Sequence, residues 1–307
     1  MLITRIVLAL RHFQQWLVAQ AAFGFLNLLK ILPADPAIRF ADWLVRKIGP
    51  RTSRHRLMLV NLANAYPEKS EAEREAIALA SWGHMGRLAA EYVFLDQLFD
   101  FDPESTEPGR IEVDGIPIFL DLRDNPRPFI VFTAHTGNFE LLPVAGNAFG
   151  LTVTVMFRPP NNPYIAEKVF SFRAARMGKL VPSHAGSSFA LARQLEAGRG
   201  IGVLVDQKFQ KGLSTDFFGH PVQTNPLLAK LVRQFDCEVY PARCIRLPDN
   251  RYRLEIEPKI DIPRNDKGAV DVQATGQLLN DKVESWVREH PEQWLWYHDR
   301  WDIKRSI

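Results

Sequence analysis

Cysteine is nearly absent. Two residues of 307, Cys237 and Cys244, lie close together in a stretch that reads as strand. They supply neither a disulfide framework nor a zinc cluster, so a reducing compartment is the natural setting. No H-E-x-x-H segment is present to hold a catalytic zinc, and no G-x-S-x-G elbow to expose a serine nucleophile. There is no internal repeat and no low-complexity tract, which excludes solenoids and disordered linkers. The net charge of +3 is too small to imply nucleic acid as a partner. What remains is a chain with 46% hydrophobic and 24% charged residues, long enough for one large packed domain or two modest ones.

The small net charge is unevenly spread. Arg5, Arg11, Lys30, Arg39, Arg46, Lys47, Arg51, Arg54 and Arg56 face only Asp35 and Asp42 in the first 56 residues, an excess of seven positive charges. Inside this basic segment the run from Phe13 to Leu29 carries no formal charge. As a helix it would extend about 25 Å, slightly short of a comfortable bilayer span. The small-x-small form of Ala19-Gln20-Ala21 would suit signal cleavage, yet the apolar run continues past it. An uncleaved membrane anchor over residues 1–32, spanning or lying on the membrane, fits better, with the flanking cations against anionic headgroups. The alternative is an amphipathic helix packed on its own domain, because Gln14, Gln15, Gln20 and Asn27 dilute the run.

Residues 33–307 then read as one catalytic domain with a helical lead-in to about residue 100. Helical spacing recurs in PAIRFADWLVRKIG and RLMLVNLANAY, and Ser70 with Glu73 makes a capping box that opens a further helix. Beyond Gly109, short apolar runs (FIVFTA, LTVTVMF, GIGVLVD) alternate with helical segments, which predicts an α/β unit with parallel strands. EVYPARCIRL and RYRLEIEPKI, joined across Pro248-Asp249-Asn250, predict an antiparallel hairpin. The expected fold is therefore a mixed, largely parallel central sheet flanked by helices. A last helix from about Val272 to His290 leads into PEQWLWYHDRW, and four of the seven tryptophans lie between Trp286 and Trp301. These could form an interfacial belt or pack on the domain.

In open parallel sheets ligands bind beyond the carboxyl ends of the strands. Three runs end there on polar residues: His135, Arg158 and the pair Asp206-Gln207. His135 and Glu140 are five apart and would not share a helix face, so contact between them requires His135 in a turn, with Gly137 giving freedom to bend. A carboxylate on one imidazole nitrogen fixes the tautomer and leaves the other free to take a hydroxyl proton. With no protein nucleophile evident, that hydroxyl belongs to a substrate. Asp206 and Gln207 either hold the turn or position the acceptor, and Arg158 either binds phosphate or balances an oxyanion. Lys168, Arg173 and Arg176 read as an exposed helix face, available to an acidic carrier protein or a lipid phosphate.

HTGNFE at 135–140 resembles the H-x4-D/E motif of the lysophospholipid acyltransferase superfamily, in the form of the bacterial lipid A late (lauroyl/myristoyl) acyltransferases. FRPPNNP at 157–163 resembles the Arg-x-x-x-N-P block of that family, and DQKFQKG with FFG at 217–219 its third block. PEQWLWYHDRW at 291–301 resembles its C-terminal signature and NLANAYPEKSEAERE its upstream helical segment. The matches run in order over residues 55–301. The resemblance implies an enzyme of a bacterial inner membrane, its catalytic domain on the cytoplasmic face among membrane lipids. It would move an acyl chain from acyl carrier protein to a hydroxyl of a lipid A precursor, Kdo-lipid IVA, in lipopolysaccharide biosynthesis. His135 would be the base and Glu140 its support, with Arg158, Asn138, Asp206 and Gln207 on substrate, and neither metal nor cofactor. Glu140 stands where glycerophospholipid acyltransferases commonly carry aspartate, and no E-G-x-R-S phosphate block occurs, which favours a glycolipid acceptor. A lysophospholipid, an aminolipid or a phosphatidylinositol mannoside is the alternative acceptor, and a nonenzymatic lipid-binding membrane protein the alternative class.

Overall fold

The computed structural model describes residues 2–303 except 106, 108 and 185. Four helices come first: α1 (Leu2–Leu29), α2 (Ala34–Ile48), α3 (Ser53–Ala65) and α4 (Glu71–Leu98). The capping box forms as expected, since the Ser70 hydroxyl accepts from the Glu73 backbone and the Glu73 carboxylate accepts from Ser70 N at 2.8 Å. α2 buries Ala37, Ile38 and Ala41 in a cluster with Ala90, Phe94 and Leu98 of α4. Its opposite stripe, Pro36, Arg39, Phe40, Trp43 and Lys47, is exposed at helical spacing.

Of the two seats expected for α1, spanning or lying on the membrane, the span is not supported. No helix among the described residues is long and apolar enough to cross a membrane. α1 has the length, but Arg5, Arg11, Gln14, Gln15, Gln20 and Asn27 interrupt its apolar character. It is also fastened to the domain behind it: Ala19 and Leu29 are buried, and Asn162 Nδ2 donates to Gln15 O at 2.7 Å. Phe13, Leu17, Val18 and Leu28 remain exposed.

The domain continues through β1 (Ile111–Asp114), α5 (Ile116–Asp124), β2 (Phe129–Thr133), α6 (Leu141–Ala148), β3 (Val153–Phe157), α7 (Pro163–Ala174), β4 (Lys179–Pro182), α8 (Ser187–Glu196) and β5 (Gly200–Leu204). Then follow β6 (Lys208–Phe217), β7 (His220–Thr224), α9 (Leu227–Phe235), β8 (Glu238–Arg246), β9 (Tyr252–Ile256) and α10 (Val272–Glu289). Seven strands form one sheet in the order β1-β9-β8-β2-β5-β3-β4. Every pairing is parallel except β8 with β9, the antiparallel pair expected across Pro248-Asp249-Asn250. β6 and β7 make a separate two-stranded ribbon.

β2 is central and carries Phe129, Ile130 and Phe132 fully into the core, as a strand covered on both faces must. β5 lies beside it although β3 and β4 intervene in sequence, so the chain crosses over twice before returning to the middle of the sheet. The tryptophans near the C-terminus pack inward. Trp294 and Trp296 are completely buried, edge to face at 4.8 Å, and Asn61 Nδ2 of α3 donates to the carbonyls of Trp296 and His298 at 2.7 and 2.8 Å.

Candidate active site

The register of two neighbouring strands builds the centre. Thr133 of β2 stands opposite Leu204 of β5, and Val205 N donates to Thr133 O at 3.1 Å. Two residues further along each chain are His135 and Asp206, so parallel pairing carries an imidazole and a carboxylate of distant sequence to the same height above the sheet. Asp206 Oδ1 lies 2.7 Å from His135 Nδ1, and Oδ2 accepts from His135 N and from Trp294 Nε1, each at 2.9 Å. Burial would raise the Asp206 carboxyl, but the His135 and Trp294 contacts outweigh it and hold the group well below the usual carboxylate range. An ionised Asp206 requires Nδ1 to carry the proton, which leaves the Nε2 lone pair outward. Gln207 Nε2 is 3.4 Å from His135 Nε2, at the outer limit of a hydrogen bond.

The carboxylate on His135 is thus Asp206. The expected pairing with Glu140 does not form, because the turn carries Glu140 to the N-cap of α6, facing other partners. Glu140 Oε1 accepts from Tyr92 OH of α4 at 2.5 Å, and Arg173 of α7 bonds both carboxylate oxygens. Arg173 Nε also reaches Tyr92 OH at 2.8 Å. Arg173 therefore turns inward instead of joining an exposed helix face, whereas Arg176 stays outside and pairs with Asp96.

Gly137 makes the turn possible. Its φ is +54°, and a Cβ there would lie 2.1 Å from the Cys244 carbonyl oxygen, so a side chain is excluded twice over. Gly137 N donates to Gln293 O at 3.2 Å, while the Gln293 amide clasps both backbone groups of Arg246 at 2.8 and 2.9 Å. The next residue, Asn138, is buried and does not line the cavity. Its Nδ2 donates to Glu91 Oε2 at 2.9 Å, and Glu91 is itself buried in an ion pair with Arg246, with Tyr252 OH on Oε1 at 2.8 Å. The HTGN turn therefore rests on a buried polar frame that fixes its shape.

A cavity of about 1240 Å³ opens in front of His135. Phe99, Phe101, Phe119, Leu142, Phe149, Val153 and Met177 make it predominantly apolar, while His135, Glu140, Arg173, Gln207, Lys208 and His298 supply polar groups. Arg158 belongs to the lining too, exposed at the residue after β3. The strand ends thus bring together His135, Asp206, Gln207 and Arg158; Asn138 and Asp206 act from behind the cavity wall. Asn162, in the N-P pair of the Arg-x-x-x-N-P block, caps α7 by accepting from Tyr164 N and Ile165 N. Among the described residues no group of three or more His, Cys, Asp or Glu side chains could hold a metal ion.

A histidine just beyond the carboxyl end of the central strand, locked by a buried aspartate and facing an apolar cavity whose described lining holds no cysteine, is an arrangement suited to acyl transfer onto a substrate hydroxyl. Comparison with known proteins agrees: residues 4–302 match the family described as bacterial lipid A biosynthesis acyltransferase. The chain belongs to that family. It is 25% identical over 291 residues to the lipid A biosynthesis myristoyltransferase of Escherichia coli K12, covering 93% of this chain and 86% of the relative. It is 26% identical over 266 residues to lipid A biosynthesis acyltransferase 2 of Shigella flexneri, covering 84% and 82%. A Haemophilus influenzae lipid A biosynthesis acyltransferase is 22% identical over 291 residues, covering 92% and 86%.

Three features of this acyltransferase escaped the sequence reading. Asp206 was visible as a strand-end residue, but which strand neighbours β2 is not written locally. Arg173 and Tyr92 lie on helices with no periodic signal that turns them inward. His298 sits in the tryptophan-rich C-terminal segment, where nothing marks it as a cavity residue.

Proposed function

We propose that this acyltransferase moves a fatty acyl chain from an acyl carrier protein thioester to a hydroxyl of a lipid A precursor of the Kdo-lipid IVA type, with His135 as general base. The observation that carries the reading is the Asp206–His135 pair, whose imidazole lines an apolar cavity. Asp206 holds the proton on Nδ1, so Nε2 takes the proton of the acceptor hydroxyl as its oxygen attacks the thioester carbonyl. The C–S bond then breaks. A thiol leaving group has a pKa of about 8.5, so it departs as thiolate or takes the proton back from Nε2, and no covalent intermediate is needed. The apolar walls suit acyl chains. Arg173, held by Glu140 and Tyr92, is a fixed cation, and Arg158 an exposed one in the lining, for a phosphate or the developing oxyanion.

On the same reading the enzyme works at the cytoplasmic face of a bacterial inner membrane. Exposed Phe40 and Trp43 share one stripe of α2 with the exposed cations Arg39 and Lys47, and Phe13, Leu17 and Leu28 of α1 are exposed as well, which suits an interfacial seat on anionic lipid. In flotation with phosphatidylethanolamine/phosphatidylglycerol vesicles, a Phe40→Asp/Trp43→Asp double variant is expected to lose most binding while turnover on detergent-dispersed acceptor persists. Undiminished flotation would remove α2 from the membrane face.

The deciding assay offers a tetra-acylated Kdo-lipid A precursor and, separately, a lysophospholipid with a panel of acyl carrier protein thioesters, and reads product mass. One added acyl chain on the lipid A precursor, lost in His135→Ala, is the expected result. A chain added only to the lysophospholipid would transfer the activity to that acceptor. Full activity in His135→Ala would remove the base.

A further inference from the structure

His298 has a fixed tautomer and a free donor. Its Nε2 accepts from Lys208 N at 2.9 Å. A ring nitrogen that accepts a backbone N–H carries no proton, so in the neutral imidazole the proton must sit on Nδ1. Burial pushes this histidine down to about 4, against the pull of Asp206, and keeps it neutral at physiological pH. Nδ1 has no hydrogen-bond partner among the described residues, yet it is not among the sealed, unsatisfied polar atoms, and the residue lines the cavity. The Nδ1–H thus has an outlet to the cavity. Its position is rigid, because Asn61 of α3 holds the His298 carbonyl at 2.8 Å and Arg300 N donates to the same oxygen at 2.9 Å.

The connection to the base is short. Asp206 grips His135, the Gln207 amide stands 3.4 Å from His135 Nε2, and the Lys208 backbone grips His298. Three consecutive residues therefore set one imidazole as an acceptor and the other as a donor on the same cavity. A thioester attacked by a hydroxyl needs both: a base for the proton, and a donor that costs no reorganisation for the carbonyl oxygen that becomes negative.

We propose that His298 Nδ1–H is a catalytic hydrogen-bond donor to the thioester carbonyl oxygen as it becomes the tetrahedral oxyanion. The inference rests on the reading of His135 as base. In the step, the acceptor oxygen bonds to the carbonyl carbon while its proton passes to His135 Nε2. The oxyanion collapses with loss of the C–S bond, and the thiolate takes that proton from His135. His298 donates a hydrogen bond throughout and transfers no proton.

Asparagine places an N–H near the imidazole Nδ1, whereas glutamine places a carbonyl oxygen near Nε2, so two variants separate the donor role from the task of holding Lys208. With the wild type's best donor and acceptor pair, His298→Gln is expected to lose about 10²–10³-fold in kcat, the usual cost of an oxyanion donor, with KM little changed. His298→Asn should stay within about 10-fold, the range below that same cost. Equal losses in both variants, or a loss confined to His298→Asn, overturn the proposal, since the ring would then serve only the Lys208 loop. A nitrogen-15 spectrum of wild-type imidazoles gives a check independent of any variant's folding: His298 should show a protonated Nδ1 and a bare Nε2, and the reverse tautomer excludes it. Loss of turnover in His135→Ala alone, with both His298 variants active, would leave the base intact and remove only the oxyanion donor.

Discussion

The two carboxylates beside the cavity are held by different means. On the strand side, Asp206 meets His135 through the register of β2 and β5, with residues 71 positions apart brought to 2.7 Å. On the helix side, Glu140 meets Tyr92 and Arg173 through the packing of α6, α4 and α7. The strand pair contains an atom whose proton can move, the helix pair a guanidinium whose charge cannot. Proximity in sequence joins His135 with Glu140; the fold separates them and sets His135 against a buried carboxylate and Glu140 against a guanidinium.

Isosteric amides test that division, and the larger effect belongs to Asp206. Oδ2 accepts two N–H groups, so in Asp206→Asn the amide oxygen must take that place and the NH2 must face His135 Nδ1. The imidazole then has to accept at Nδ1 and carry its proton on Nε2, where the base should be empty. By analogy with aspartate-to-asparagine changes in serine hydrolase triads, kcat should fall about 10⁴-fold with the protein folded. Glu140→Gln leaves His135 untouched but strands the Arg173 charge, so stability should suffer more than chemistry. An unfolding free energy lower by about 3 kcal/mol is expected from a broken buried pair, with kcat down by about 10-fold, the lower range for positioning groups. Single-turnover rates beside denaturant unfolding of both variants make the comparison. A larger kcat loss in Glu140→Gln than in Asp206→Asn would reverse the two roles.

Much of this architecture was legible. The capping box at Ser70, the alternation of buried strands with helices, and the antiparallel return across Pro248 each rest on a local rule that nothing distant opposes. His135, Arg158, Asp206 and Gln207 were visible because strand ends are where such sheets bind ligands. Partnership was not, since it depends on strand order. β5 inserts between β2 and β3, and no residue in GIGVLVD announces its neighbour. The buried frame behind Asn138 was equally hidden: Glu91 lies in mid-helix and Arg246 at a strand end, two charges that sequence alone would expose to water. For α1 the sequence left a span and a surface seat open, and a helical apolar run does not say which of its residues protein covers; the fold buries Ala19 and Leu29.

The smallest expected effect compares two neutral histidines, one on each side. His84, on the helix that supplies Tyr92, is pushed far down by burial and by the Arg246 guanidinium, and its Nδ1 accepts from Arg246 Nε at 3.0 Å. His298, on the strand side, is pushed down to about 4 by burial. In the unfolded chain both titrate near 6.5. Between pH 6.5 and 4 the unfolded state therefore binds protons that the native state refuses, and stability must fall as pH falls. Each histidine contributes a slope of about 1.4 kcal/mol per pH unit once its unfolded form is fully protonated. Denaturant unfolding of the wild type between pH 6 and pH 4.5 should show both contributions, and His298→Asn should lose its own share, leaving a slope shallower by up to about 1.4 kcal/mol per pH unit. A variant slope equal to the wild type's would mean that His298 takes up its proton in the native state, and the neutral donor assigned to the strand side would be lost below pH 6.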